Sequence, residues 1–254
     1  MSKEVEIYQD EARCGTFLIA QGFDREHNRV LRLIKKHEER FLRLENNSFS
    51  KSLIIRRVPP KKGGRPVDEI MLNEEQAIFL GSIFRNTDRV LDFKEKLARD
   101  FVSQKKILQN ITTQRQSPEW IAARAEGKTL RREETDTIKD FVEYATTQGS
   151  KNAKRYYTGL SNLVNNKLFT FNGEFKSKRD AMTGGQLILV GAADTLISRA
   201  LLEGMSLGME YHDVYKLVKE RVIQYAGLIG QTEVISQQLL KADETIGEIK
   251  EIEA

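Results

Sequence analysis

Cysteine is all but missing from this sequence. Cys14 is the only one, so no intrachain disulfide can form, and a reducing cytoplasm is the expected setting. Histidine is scarce as well. His27, His37 and His212 stand apart from Cys14 and from carboxylates at metal-ligand spacing, so neither a metal nor a cofactor is expected. The most apolar run, Leu187–Ala193, falls far short of the ~20 residues a bilayer span needs, and Met1–Glu6 is polar with no secretory core; no membrane contact is expected. Gly184-Gly185-Gln186 has neither the glycine spacing nor the lysine of a phosphate loop, and no Ser, Thr or Cys sits in a nucleophile motif. An enzyme is therefore not the expectation. Prolines number only four, and Glu, Lys, Leu and Ala are frequent, which favours helix over most of the length.

What the chain does have is an uneven distribution of charge. Residues 1–116 carry 23 Lys and Arg against 17 Asp and Glu, while the remainder carries 18 against 20. A basic front and a near-neutral back fit a nucleic-acid module joined to an assembly or partner module. Between Arg25 and Arg65 the imbalance is steepest, with thirteen Lys and Arg against four Glu and no Asp.

That basic stretch has a recognisable order. Thr16 can N-cap a short helix with Phe17, Ile19 and Ala20 on its apolar face, Gly22 can end it in the left-handed conformation, and Phe23 can anchor the turn. The spacing then predicts one helix from Arg25 to Leu44. At ~100° per residue, Arg25, Arg29, Arg32, Lys36, Arg40 and Arg43 share an arc of roughly 80°, beside a core stripe of Val30, Leu33, Ile34, His37, Phe41 and Leu44. A solvated face would explain one basic stripe equally well. The flanking elements favour a nucleic-acid reading, because helix, glycine turn and helix form a helix-turn-helix pattern. The β-rich segments Leu53–Val58 and Val67–Leu72, joined by Pro59–Pro66, then make a hairpin whose tip carries Lys61, Lys62 and Arg65. A basic hairpin in this position is the wing of a winged helix. Asn28 and His27, at the entry of the second helix, are the best candidates other than arginine for reading bases.

Elsewhere, Glu4–Tyr8 alternates as a short strand that could pair with the hairpin, and Asn73 caps a helix to Phe84. A long helix from Arg89 to about Ile111 carries Val90, Phe93, Leu97, Phe101, Leu108 and Ile111 as core or as a dimer seam. The polar segment Thr112–Pro118 marks the expected boundary between residues 1–113 and 114–254. Behind it the pattern predicts helices at Thr129–Ala145, Lys151–Phe169, 184–203 and 211–227, with Gly149 as a stop, Ser150 as a fresh cap and Asn172-Gly173 as a turn.

Several ordered cues resemble the Rha family of phage regulatory proteins, also described as phage antirepressor-like. They are Thr16, Ile19 and Ala20; His27, Val30 and Ile34; Ser52; Gly64-Arg65-Pro66; Met71–Ala77; and Asn86-Thr87, Val90, Phe93-Lys94, Leu97 and Phe101. The Pro-Pro-Lys-Lys-Gly-Gly run in the hairpin departs from that pattern. The resemblance implies a regulator of a prophage or mobile element.

The fold expected is mainly α: an N-terminal winged helix-turn-helix with a small β-hairpin wing, then a helical C-terminal domain. The function expected is transcriptional control through double-stranded DNA, by a homo-oligomer in a bacterial cytoplasm at the nucleoid. The rival reading is an antirepressor-type module that binds a repressor or another protein with the same basic face and leaves DNA untouched.

Overall fold

The structure is a computed structural model that describes residues 4–45, 52–59 and 64–234. Within these the chain forms two compact units, one of residues 4–110 with Gly173–Lys176, the other of Ile111–Asn172 with residues 177–234.

The first unit opens with a hairpin of β1 (Glu6–Tyr8) and β2 (Glu11–Gly15), antiparallel with Tyr8 opposite Glu11. Its loop, Gln9-Asp10, has φ of 52° and 67°. Two consecutive left-handed residues match the right-handed twist of the strands. The helices α1 (Thr16–Gly22), α2 (His27–Lys36) and α3 (Glu38–Arg43) follow, and then the hairpin of β3 (Ile55–Val58) and β4 (Val67–Leu72). The four strands lie in the order β1-β2-β4-β3, so β2 stands between the N-terminal strand and the wing-like hairpin. The expected direct pairing of Glu4–Tyr8 with that hairpin is thus replaced by pairing through β2. Backbone of Glu174 closes the outer edge of β1, accepting from the Gln9 amide at 2.7 Å and donating to the Ile7 carbonyl at 2.8 Å.

Two features of the helix-turn-helix differ from the expectation. The helix predicted over Arg25–Leu44 breaks at His37, whose φ of −116° and ψ of 24° leave the helical region. The break uses neither Gly nor Pro, which is why the periodicity runs through it. The His37 amide still bonds the Leu33 and Ile34 carbonyls, while its own carbonyl accepts from the Arg40 and Phe41 amides. Glu38 and Glu39 then occupy the first turn of α3, where the helix dipole favours acids. The α1 C-terminus also differs, since Asp24 (φ 53°), not Gly22, takes the left-handed position. Arg25 N–H donates to the Ala20 carbonyl and Asp24 N–H to that of Gln21, the paired bonds of a Schellman end. Gly22 is needed for space, because a Cβ there would overlap the Phe93 ring.

Asn73 caps α4 (Glu74–Ile83) in a reciprocal capping box with Gln76. The same two side chains reach the end of α3, Asn73 Nδ2 donating to the Leu44 carbonyl at 2.7 Å and Gln76 Nε2 to that of Phe41 at 2.8 Å. One pair of amides therefore satisfies orphan groups at two helix ends. Beneath them the fully buried Arg13 pairs with Glu45 and Glu11 and donates to the Met71 carbonyl at 2.8 Å. α5 (Asp88–Gln114) closes the core, its Val90, Leu97 and Phe101 joining Ile19, Phe23, Val30, Ile34, Phe41 and Leu80.

The second unit is built on α6 (Pro118–Thr147), α7 (Arg155–Leu168), α8 (Gly184–Ser206) and α9 (Tyr211–Ile229), with a parallel pair of β5 (Phe169–Phe171) and β6 (Thr232–Val234). The predicted Thr129–Ala145 helix is the latter part of α6, which Ser117 caps and Pro118 starts. Gly149 ends α6 as expected, with φ of 94°, but Ser150 does not cap α7, which begins at Arg155. α8 is long and apolar enough to cross a membrane by length and composition; half of that stretch is buried. Its inward residues, among them Ile197 and Leu201, are core, as are Val214, Val218 and Val222 of α9. Glu134 of α6 and Asp194 of α8 are buried among them, the first paired with Arg131 and the second with Arg179 at 2.9 Å.

Candidate nucleic-acid interface

The break at His37 divides the basic stripe among three pieces of backbone. Arg29, Arg32 and Lys36 remain together on α2, within about 60° of one another at ~100° per residue. Arg40 and Arg43 belong to α3, and Arg25 lies in the turn before α2. All six are exposed. Val30 and Ile34, on the opposite side of α2, are buried, so the amphipathic division expected of this helix exists on its own ten residues.

Few of these charges are neutralised. Arg29 reaches Glu26 at 3.6 Å, an exposed pair worth little against solvent and salt. Arg25 donates to the Asp24 carbonyl at 3.3 Å. Among the described residues, Arg32, Lys36, Arg40 and Arg43 show no ion pair or side-chain hydrogen bond. Unpaired cations on a short helical face present the charge that a phosphodiester backbone attracts.

His27 and Asn28 part company. Asn28 is exposed on α2. His27 turns inward, its ring stacked on Phe17 with centroids 3.8 Å apart and its Nε2 2.9 Å from Thr16 Oγ1. The Thr16 hydroxyl also accepts the Ile70 amide at 3.1 Å, so it bonds both α2 and β4. Burial lowers the His27 pKa, in keeping with a neutral ring. Thr16 is therefore a link between α1, α2 and β4 rather than a helix cap. The signal was in the spacing: His27 lies three and seven residues before Val30 and Ile34, on their face of the helix.

The wing-like hairpin pairs Arg56 with Glu69, Arg57 with Asp68 and Val58 with Val67. Arg65 is exposed beside Gly64, whose φ is 122°. Arg57, Arg65, Pro66 and Asp68 surround a small polar hollow. Lys61 and Lys62, expected at the tip, lie outside the described residues.

Glu69 is the residue that sequence reasoning missed. Its carboxylate, almost wholly buried, accepts the Phe17 amide at 3.1 Å through Oε1 and two Arg56 donors at 3.0 and 2.7 Å through Oε2. α1 has glycine at its N-cap and no side-chain cap, so a strand residue supplies the acceptor its first turn lacks. Gly15 makes the room, since a Cβ there would overlap Glu69 Oε1. Arg56 continues the chain to Glu6 at 2.6 Å and lies 5.6 Å from the centre of the Tyr8 ring. The hairpin is thereby tied to the first helix of the helix-turn-helix by buried charge-assisted bonds.

Residues 14–106 match the family model described as Phage regulatory protein Rha, which is the family the sequence cues resemble. No curated protein matches the chain. The likeness covers most of the front unit and is to a family described as phage regulators.

Proposed function

From that likeness we propose that this chain is a non-enzymatic regulator of a prophage or mobile element that binds double-stranded DNA through its helix-turn-helix and wing. The observation that carries the reading is the set of exposed cations Arg32, Lys36, Arg40 and Arg43 on α2 and α3, which have no ion-pair partner among the described residues. Arg29 and Arg25 extend that face, Asn28 is available for base edges, and Arg57 and Arg65 offer phosphate contacts from the hairpin. A homo-oligomer in the bacterial cytoplasm suits this role, because a single module reads little sequence and two-fold half-sites multiply it.

The test is a bandshift of random duplex by the full chain at ~50 mM salt, where non-specific phosphate contacts should suffice for binding. A shift that fades steeply with salt supports the reading. Without one, the same face belongs to an antirepressor-type contact with an acidic protein surface.

A further inference from the structure

The homo-oligomer just proposed needs a surface, and the first unit offers one between α4 and α5. α4 and α5 pack antiparallel: Glu74 at the start of α4 pairs with Lys105 late in α5, and Gly81 near its end lies against Lys94 early in α5. Between them runs an open groove of about 280 Å³ floored by Phe23, Ala77, Leu97 and Phe101. That is below the roughly 300–1,000 Å³ of sites that enclose small ligands, so its size suits inserted side chains. Ile78 stands on the lip, 66 % exposed, and on α5 Leu91 and Val102 are 47 % and 51 % exposed, in helical register with the groove residue Ala98. Open apolar groups beside an apolar groove suit a contact surface.

The occupant can be read from the groove itself. Knob and hole lie side by side on one face, so a two-fold rotation would set Ile78 of each copy into the groove of the other. Charge follows the same symmetry. The charged residues that line the groove are Glu74 at the end where α4 starts, paired with Lys105 and followed by the exposed Glu75, and Lys94 at the other end. Among the described residues Glu75 has no ion-pair partner, and Lys94 bonds only the neutral Asn86, at 2.7 Å. An antiparallel apposition brings each acidic end to a basic one. We infer that the chain forms a two-fold dimer through the α4–α5 groove, with Ile78 inserted in the partner's groove and Glu75 facing the Lys94 end.

This rests on the homo-oligomer reading and is independent of DNA contact. The test is the solution mass of the full chain by sedimentation equilibrium from ~1 to 50 μM, with circular dichroism to verify that each variant is folded. The wild type should be a dimer. Ile78→Glu, at an exposed position, should keep the helical signal and raise the dimer dissociation constant by at least ~100-fold, as removal of a central anchor does. Glu75→Lys and Lys94→Glu should each weaken the dimer, and the doubly swapped chain should recover it to within ~3-fold, because the swap restores the pairing across the axis. A monomeric wild type overturns the oligomer itself, and points to a different protein as the occupant. A wild-type dimer that survives Ile78→Glu overturns only the placement of the interface, as does failure of the double swap to recover.

Discussion

Glu69 and Arg56 face each other across the β3–β4 ladder, and two Arg56 nitrogens donate to one Glu69 oxygen at 3.0 and 2.7 Å. The other oxygen caps α1 through the Phe17 amide. Sheet register and helix capping thus meet in one carboxylate, and the space it occupies exists because residue 15 has no side chain.

Removing that carboxylate should loosen hairpin and helix together. Glu69→Ala leaves the half-buried Arg56 guanidinium with Glu6 alone and the Phe17 amide uncapped. A cost of about 2–3 kcal/mol is expected, under the ~3–5 of a wholly buried pair because Arg56 is 28 % exposed. Gly15→Ala should cost a similar amount by overlap with the same oxygen. In urea unfolding the two should not add: in the Glu69→Ala background Gly15→Ala should be close to neutral. Full additivity would mean that Gly15 is needed for some other reason.

The cationic face and the core beneath it should respond oppositely to substitution. Arg29→Glu, Arg32→Glu and Lys36→Glu together change exposed residues, each worth under ~0.5 kcal/mol, so the melting temperature should stay within a few degrees. Phe41→Ala, at a fully buried ring, should cost roughly 3–5 kcal/mol through the cavity it leaves. Unfolding of the triple variant would show that the α2 face is packed against something.

The second unit should grow less stable between mildly acidic and mildly alkaline pH. Burial, with the Asp194 carboxyl nearby, pushes Glu134 up to about 7, and burial raises Asp194 as well, although Arg131 and Arg179 oppose both shifts. A carboxyl whose folded pKa exceeds its unfolded value holds its proton more tightly when folded. Its stabilising effect is therefore complete below the ordinary carboxylate range and is lost as the pH climbs toward 7. The melting temperature followed by circular dichroism should be higher at pH 5 than at pH 8. Glu134→Gln should flatten that difference and raise the value at pH 8. A profile unaltered by the substitution would show that the pair does not titrate in this window.

The elements that sequence revealed are those in which local pattern and packing agree. Asn73 ahead of two acids marks the start of α4, and Val90, Leu97 and Phe101 mark the inner face of α5. The bounds expected for Val67–Leu72 match its strand residue for residue. What stayed hidden depends on partners distant in sequence. β2 reads as Glu-Ala-Arg-Cys-Gly, and its burial of Arg13 makes sense only once Glu45, thirty-two residues on, is beside it. Gln9-Asp10 is an uncommon pair for a tight left-handed turn, so the first hairpin left no local trace. The kink at His37 has no breaker residue to announce it. In the candidate interface the cations of α2 and α3 could be identified as exposed from periodicity alone. The Glu69 tie could not, because it is set by a contact with α1.

Whether the cations of α2 and α3 meet DNA is decided by fluorescence anisotropy of a labelled random duplex, titrated with the wild type and with the Arg29, Arg32 and Lys36 triple Glu variant over a series of salt concentrations. The wild type should bind at ~50 mM salt and lose affinity linearly on a log–log plot, with a slope of roughly −0.9 for each phosphate neutralised, and the folded triple variant should not bind at all. A wild type that leaves the duplex free at that salt, or a triple variant that binds with wild-type affinity and slope, would contradict DNA recognition through this face.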